Sequence, residues 1–213
     1  MALEHYFLES TPSTHQYVLE GLKNNTLQPP VVITAREQTQ GVGSRGNQWE
    51  GGSGNLFLSL CVKEEHLPKD LPLASVSIYF GMIAKQILCD AGSRAWVKWP
   101  NDLYVESQKI GGIMSIKTGA CIVVSMGINL KTSSPPFGVL DTVLEAQGFL
   151  ESFLHRLSVL PSWKNIFSKY KLEFEHSKVL TCHIGEEKVS LREALLCSDG
   201  SIQIGNKKVY SLR

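Results

Sequence analysis

Apolar residues change their spacing several times along the chain, and each change marks an element. Ser13-Thr14 precedes Tyr17, Val18 and Leu22, the pattern of a capped amphipathic helix. After Pro29-Pro30, the β-branched run from Val31 to Ala35 predicts a strand. Arg36 to Asn55 then reads REQTQGVGSRGNQWEGGSGN, twenty residues with six glycines and little periodicity. Stretches of that length inside a compact domain are usually functional or disordered. This one runs into Leu56, Leu58, Leu60 and Val62, alternating with Phe57, Ser59 and Cys61, which predicts a strand with both faces largely buried.

Pro72 opens a helix whose apolar positions Leu73, Val76, Phe80, Ile83 and Ile87 follow the 3.6 period, closed by Ala91-Gly92. From Ala95 to Leu130 short apolar runs alternate with turn signals at Pro100-Asn101-Asp102, Ser107-Gln108 and Thr118-Gly119, the texture of a β-meander. Beyond the break at Ser133-Ser134-Pro135-Pro136, one helical pattern carries Val143, Leu144, Leu150, Phe153, Leu154 and Leu157. A second carries Trp163, Ile166, Phe167, Tyr170 and Phe174. After residue 176 the pattern becomes short strands with turns at Gly185-Glu186, Ser198-Asp199-Gly200 and Gly205-Asn206. The expectation is an α+β fold, a mixed or antiparallel sheet with helices on one face over residues 1–176. A small C-terminal β-module over 177–213 follows, too short to stand alone.

The 213 residues are 43% hydrophobic and 19% charged, enough to bury a sizeable core. Lys plus Arg is 21 and Asp plus Glu is 20, and no run of five like charges occurs, so binding of nucleic acid through bulk charge is not expected. The five cysteines, at 61, 89, 121, 182 and 197, are odd in number and mostly sit in apolar stretches, as in a reducing compartment. MALEHYFLES has no basic start and no signal-length apolar run. The apolar-rich stretch from Gly119 to Leu130 is shorter than the roughly 20 residues of a membrane helix. A cytoplasmic protein without membrane contact is the expectation.

Common chemical motifs are missing. There is no GxxxxGK[ST], no GxSxG, no CxxC and no HxxxH, and GVGSRG shares only two glycines with the dinucleotide fingerprint. Three segments stand out instead. In the Gln38–Asn55 loop, glycines let backbone N–H groups approach an anion, Arg45 supplies charge and Trp49 a rigid ring; its other reading is a linker anchored by one tryptophan. Val97 to Met114, VKWPNDLYVESQKIGGIM, places Lys98 and Lys109 about a turn carrying the oxygen donors Asn101 and Asp102; its other reading is an ordinary hairpin. In Ser125 to Leu130, SMGINL, Asn129 interrupts a buried strand and must find partners in the fold or in a ligand.

Taken together, these segments resemble the biotin protein ligases. KWPNDLYVESQKIGGIM is similar to the family signature KWPNDxxxxxxKxxGIL, GVGSRGNQWEGGSGNLFLSL to its glycine-rich loop and the strand after it, and the Ser125–Asn129 segment to its GxGxN strand. Ser13-Thr14-His15-Gln16 is similar to its Ser-Thr-Asn helix start, and the likeness runs in order from about residue 10 to the end of the chain. The resemblance implies a catalytic domain like that of class II aminoacyl-tRNA synthetases, followed by an SH3-like barrel. It implies activation of biotin by ATP to biotinyl-adenylate, with Mg²⁺, then transfer to a lysine of a biotin carboxyl carrier protein. Lys109 would be the catalytic lysine. Ser13, Thr14, His15, Gln38, Gly41, Val42, Gly43, Ser44, Trp49, Lys109, Gly111, Gly112 and Ser125 would line the biotin site. Arg45, Trp49, Asn101, Asp102, Lys109 and Asn129 would face ATP or the adenylate, with Asp102 toward Mg²⁺.

The sequence departs from that family in places. Val42, Ser44 and Asn47 stand where loop arginines are usual, Ser125 where glycine is common and Ser115 where glutamate is usual. Looser retention of the adenylate is the expectation. The twelve residues before Ser13 are too few for the DNA-binding domain of bifunctional members, so a monofunctional ligase without DNA binding is expected. Monomer and homodimer stay open. Two other readings compete: a lipoate or octanoate ligase or transferase of the same fold, and a non-catalytic biotin-binding regulator.

Overall fold

The computed structural model describes residues 3–43, 48–49, 52–185 and 187–210, with Gln48 by its backbone alone. Ser44, Arg45 and Asn47 of the loop, and Glu186 of one expected turn, lie outside the described residues. A seven-stranded sheet forms the centre, with strand order β1-β2-β5-β9-β8-β7-β6. Its strands are β1 (Glu4–Thr11), β2 (Val31–Gln38), β5 (Leu56–Lys63), β6 (Trp96–Lys98), β7 (Asp102–Val105), β8 (Gln108–Thr118) and β9 (Cys121–Ile128). β1 and β2 run parallel and every other neighbouring pair is antiparallel, so the sheet is mixed as expected. Between β2 and β5, the short strands β3 (Gly41–Val42) and β4 (Gln48–Trp49) pair with each other.

Side-chain alternation divides the central strands between two cores. Val32 of β2, Leu56, Leu58 and Leu60 of β5, and Val124 and Met126 of β9 enter the larger core. That face is covered by α2 (Val76–Asp90), α3 (Ala146–Leu157) and α4 (Trp163–Ser177). Val31, Ile33, Cys61 and Val123 point the other way and pack with Val18 and Leu27 around α1 (Thr14–Lys23). Three helices therefore share one face, whereas α1, expected on that face with them, packs on the opposite one. Its N-cap is Ser13, whose hydroxyl accepts from the Gln16 N–H.

The strand β1 lies in a segment where the residue pattern predicts no element. It is an edge strand with one neighbour, and all but two of its residues are exposed, so it carries no burial pattern to read. The third helix starts at Ala146, later than its apolar pattern suggested, and Val143 is 90% exposed. The chain before it is tied elsewhere: Asp141 accepts from Ser93 Oγ and Arg94, and Thr142 Oγ1 donates to the Ala91 carbonyl. Leu73–Asp90 is long and apolar enough by composition to cross a membrane, but 67% of it is buried within the protein.

The C-terminal strands form two small antiparallel sheets, β10 (Thr181–Ile184) with β11 (Glu187–Ser190), and β12 (Leu195–Leu196), β13 (Ile202–Ile204) and β14 (Lys207–Val209). Leu191, Ala194 and Ile202 join the larger core. Fully buried Trp99 donates from Nε1 to the Gly200 carbonyl at 3.0 Å, and Trp163 from Nε1 to the Ser198 carbonyl at 2.9 Å. The tail thus shares one core with the sheet.

Candidate active site

On the α1 face, the start of α1, the end of β2 and the strands β8 and β9 border a pocket open to solvent. Its polar wall begins at the cap of α1. Ser13, Thr14 and His15 reach it from the helix start, Gln38 from the end of β2 and Ser125 from β9. These side chains are linked: Thr14 Oγ1 donates to Gln38 Oε1 at 3.0 Å and Ser59 Oγ to Thr14 Oγ1 at 2.9 Å. Ser125 Oγ lies 2.8 Å from Ser59 Oγ, and His15 Nδ1 lies 2.9 Å from Ser125 Oγ. Ser59 was not among the expected site residues. A lone hydroxyl in the apolar run Leu56–Val62 was the available signal, because a fully buried serine needs partners. Burial holds the His15 imidazole below its ordinary range, so the ring is neutral at pH 7.

The opposite wall comes from the β6–β8 meander. Lys109 Nζ makes a 2.7 Å ion pair with Asp102 Oδ1, and Lys98 Nζ lies 3.9 Å from Asp102 Oδ2. Among the described residues two ammonium groups thus share one carboxylate, which makes this end of the pocket attractive to anions. Gly112 and Asn101 line the pocket beside them. The Asn101 amide donates to the Ile113 carbonyl at 2.8 Å, which ties the Pro100-Asn101-Asp102 turn to β8.

Trp49 closes the pocket from above the sheet. Its ring lies on Gly127, where a Cβ would come within 2.6 Å of Cε2 and Nε1, and Lys109 Nζ stands 5.9 Å from the ring centroid. The buried indole N–H has no hydrogen-bond partner and is a donor for an acceptor in the pocket. Val42 and Gly43 line the same side. Gly41 lies behind them in β3, where a Cβ would stand 2.4 Å from the Trp49 carbonyl oxygen.

Eleven expected residues therefore meet at one pocket: Ser13, Thr14, His15, Gln38, Val42, Gly43, Trp49, Asn101, Lys109, Gly112 and Ser125. Gly111 does not line it. Its Cβ position is 2.9 Å from the Gly127 carbonyl oxygen, so it serves the close pairing of β8 with β9. Asn129 stands one layer back, donating to the Gly138 carbonyl at 3.0 Å and facing Asn55, which accepts from the N–H groups of Lys131 and Thr132. Those two asparagines fasten the end of the glycine-rich segment. Ile113, Met114, Met126 and Gly127 complete the lining and were not expected as site residues.

The sequence model of the biotin/lipoate A/B protein ligase family matches residues 7–132, more than half of the chain. The chain belongs to that family. Among solved structures, this ligase-family protein is similar to biotin acetyl coenzyme A carboxylase synthetase from Helicobacter pylori, solved with bound biotinylated ATP. The two are 39% identical with a TM-score of 0.93, over 98% of this chain and 100% of that one. The fold is also that of biotin protein ligase from Aquifex aeolicus in complex with biotin and ATP, at 19% identity and a TM-score of 0.79, over 99% and 96% of the two chains. Among curated proteins, the bifunctional ligase/repressor BirA of Escherichia coli is 34% identical over 125 residues, 55% of this chain and 38% of that protein. The biotin–[acetyl-CoA-carboxylase] ligase of Paracoccus denitrificans is 29% identical over 119 residues, 51% and 48%. The ligase-family chain thus spans less than half the length of these two relatives.

Proposed function

We propose that this protein is an ATP-dependent biotin–protein ligase. The observation that carries the reading is the pocket itself: a polar, hydrogen-bonded wall at one end and Lys109, paired with Asp102, at the other, in a chain alike over its whole length to a synthetase solved with biotinylated ATP. In the first step a carboxylate oxygen of biotin bonds to the α-phosphorus of ATP and pyrophosphate leaves. In the second, a lysine amine of a biotin carboxyl carrier domain bonds to the acyl carbon and AMP leaves.

Joining two anions is the electrostatic difficulty. Lys109 Nζ offsets it by standing where carboxylate and α-phosphate meet, and Asp102 holds that ammonium in place at 2.7 Å. Lys98 adds charge at the phosphate end, and Trp49 shields the mixed anhydride from water. Mg²⁺ characteristically takes one or two carboxylates plus substrate phosphates and water. Among the described residues no group of three His, Cys, Asp or Glu could cage a metal, and Asp102 is the carboxylate at hand, so the donor set fits an ion delivered with ATP. That ion would neutralise phosphate charge.

Biotin-dependent ATP–pyrophosphate exchange, run beside lipoate and octanoate without acceptor, tests the reading. Exchange with biotin alone is expected, and Lys109→Gln should lower it on the order of 10²–10³-fold, the usual loss for one transition-state donor, without moving the unfolding transition. Exchange with lipoate only, or biotin binding without exchange, would overturn it.

A further inference from the structure

Proton counting along the pocket wall settles a state that distances alone leave open. The Thr14 backbone N–H donates to Gln38 Oε1 at 2.8 Å, so the amide oxygen, and not the nitrogen, faces Thr14. Thr14 Oγ1 donates to that same oxygen. A hydroxyl carries a single proton. With the Thr14 proton committed, Ser59 Oγ must donate to Thr14; with the Ser59 proton committed, Ser125 Oγ must donate to Ser59. Ser125 then offers His15 only lone pairs, so the proton of the 2.9 Å contact sits on His15 Nδ1.

We infer that His15 is locked as the Nδ1–H tautomer by Ser125, and that its bare Nε2 is a specificity-determining acceptor for a ring N–H of the bound acid. The neutral imidazole has one donor and one acceptor nitrogen, and the chain of hydroxyls decides which is which. Burial opposes protonation of the ring and so preserves the acceptor. Gln38, its oxygen committed to Thr14, has only its N–H groups left to offer. The wall therefore presents an acceptor at its His15 end and a donor at its Gln38 end, which suits a cyclic urea with N–H groups and a carbonyl. The ligand half of this inference rests on the proposed ligase reading. Ser125 is a positioning residue: it acts on the ligand through His15. The device sits where this chain departs from its relatives, with a serine for the common glycine and a histidine for the usual asparagine.

The test uses the full chain with ¹⁵N-labelled histidine, long-range ¹H–¹⁵N correlation, and calorimetric titration with biotin. Wild-type protein should show protonated Nδ1 and bare Nε2 at His15. Ser125→Ala removes the lock and should move His15 to the Nε2–H form. It should weaken biotin binding about tenfold, one hydrogen bond's worth, and leave the KM for ATP unchanged. In a His15→Ala background, adding Ser125→Ala should change biotin affinity less than about twofold, because nothing is left to position. An Nε2–H tautomer in wild-type protein would overturn the inference, and that reading needs no variant to fold. Equal losses from Ser125→Ala in both backgrounds, or full biotin affinity in His15→Ala, would overturn it too. Wild-type protein with the Nδ1–H tautomer but no biotin binding would overturn the ligand half together with the ligase reading, and would leave the tautomer established.

Discussion

Gly127 shows how a missing side chain can carry as much of a site as a charged one. Its Cβ position falls within 2.6 Å of the Trp49 ring, so any larger residue must push the indole off the sheet. Gly127→Val is expected to cut biotin-dependent exchange on the order of 10–100-fold, the penalty for moving a positioned group by about an ångström. Intrinsic tryptophan fluorescence should shift at the same time; a variant with unchanged exchange would show that Trp49 does not cover the reaction. The neighbouring loop leads to a second expectation. Val42 lines the pocket where an arginine is usual, and Ser44 and Asn47 carry no charge either. The adenylate should leave the site more readily than in arginine-rich relatives. Bystander proteins incubated with enzyme, biotin and ATP should then acquire biotin on surface lysines. Unlabelled bystanders beside a fully labelled acceptor would show that the adenylate is retained.

At the scale of elements, the start of α4 depends on a residue far away in sequence. Asp70 accepts from the backbone N–H groups of Trp163 and Lys164, both at 3.0 Å, and Ser162 caps the same turn through the Asn165 N–H. The Lys164 N–H foremost, and that of Trp163 with it, hold the Asp70 carboxyl below the usual carboxylate range. Because the folded value is depressed, this contribution is fully present above the ordinary carboxylate pKa and is lost as pH falls through the folded value. Asp70→Ala should lower stability at pH 7 by about 1 kcal/mol, as for other helix caps, and the difference from wild type should shrink in acid. Chemical denaturation at two pH values checks both statements. The helices α1 and α4 were legible because each buries one stripe, which forces the 3.6 period into the sequence; α2 is buried almost all round, and its long apolar run between Pro72 and Gly92 marked it. The strand β1 was not, since it is paired on one side and mostly exposed on both faces. The Ser59 link was hidden for a related reason: a hydroxyl inside an apolar strand shows that partners exist without saying which, and Thr14 and Ser125 lie 45 and 66 residues away. The signature around Lys109 was legible as chemistry, yet its Trp99 proved to face the core and the tail.

For the molecule as a whole, the two faces of the sheet divide the work. The α2–α4 face is the thick core, and the α1 face carries the pocket. The sheet ends on one side at β1, where Tyr6 and Phe7 are exposed. An acceptor domain can extend such an edge by strand pairing. Phe7→Glu should therefore slow biotin transfer to a carrier domain several-fold while leaving pyrophosphate exchange untouched. Equal slowing of both reactions would place the acceptor elsewhere. The tie between Trp99 and Gly200 has a consequence of another kind. Trp99 immediately precedes the turn that sets Asn101 and Asp102, so the tail and the anion end of the pocket lie within one cooperative unit. Amide protons of Ile113 and Ile202 should exchange with solvent through the same opening event, with one common protection free energy. A heat-loosened tail would then take the lysine strand with it, and the protein would lose its chemistry and its C-terminal sheets at a single temperature.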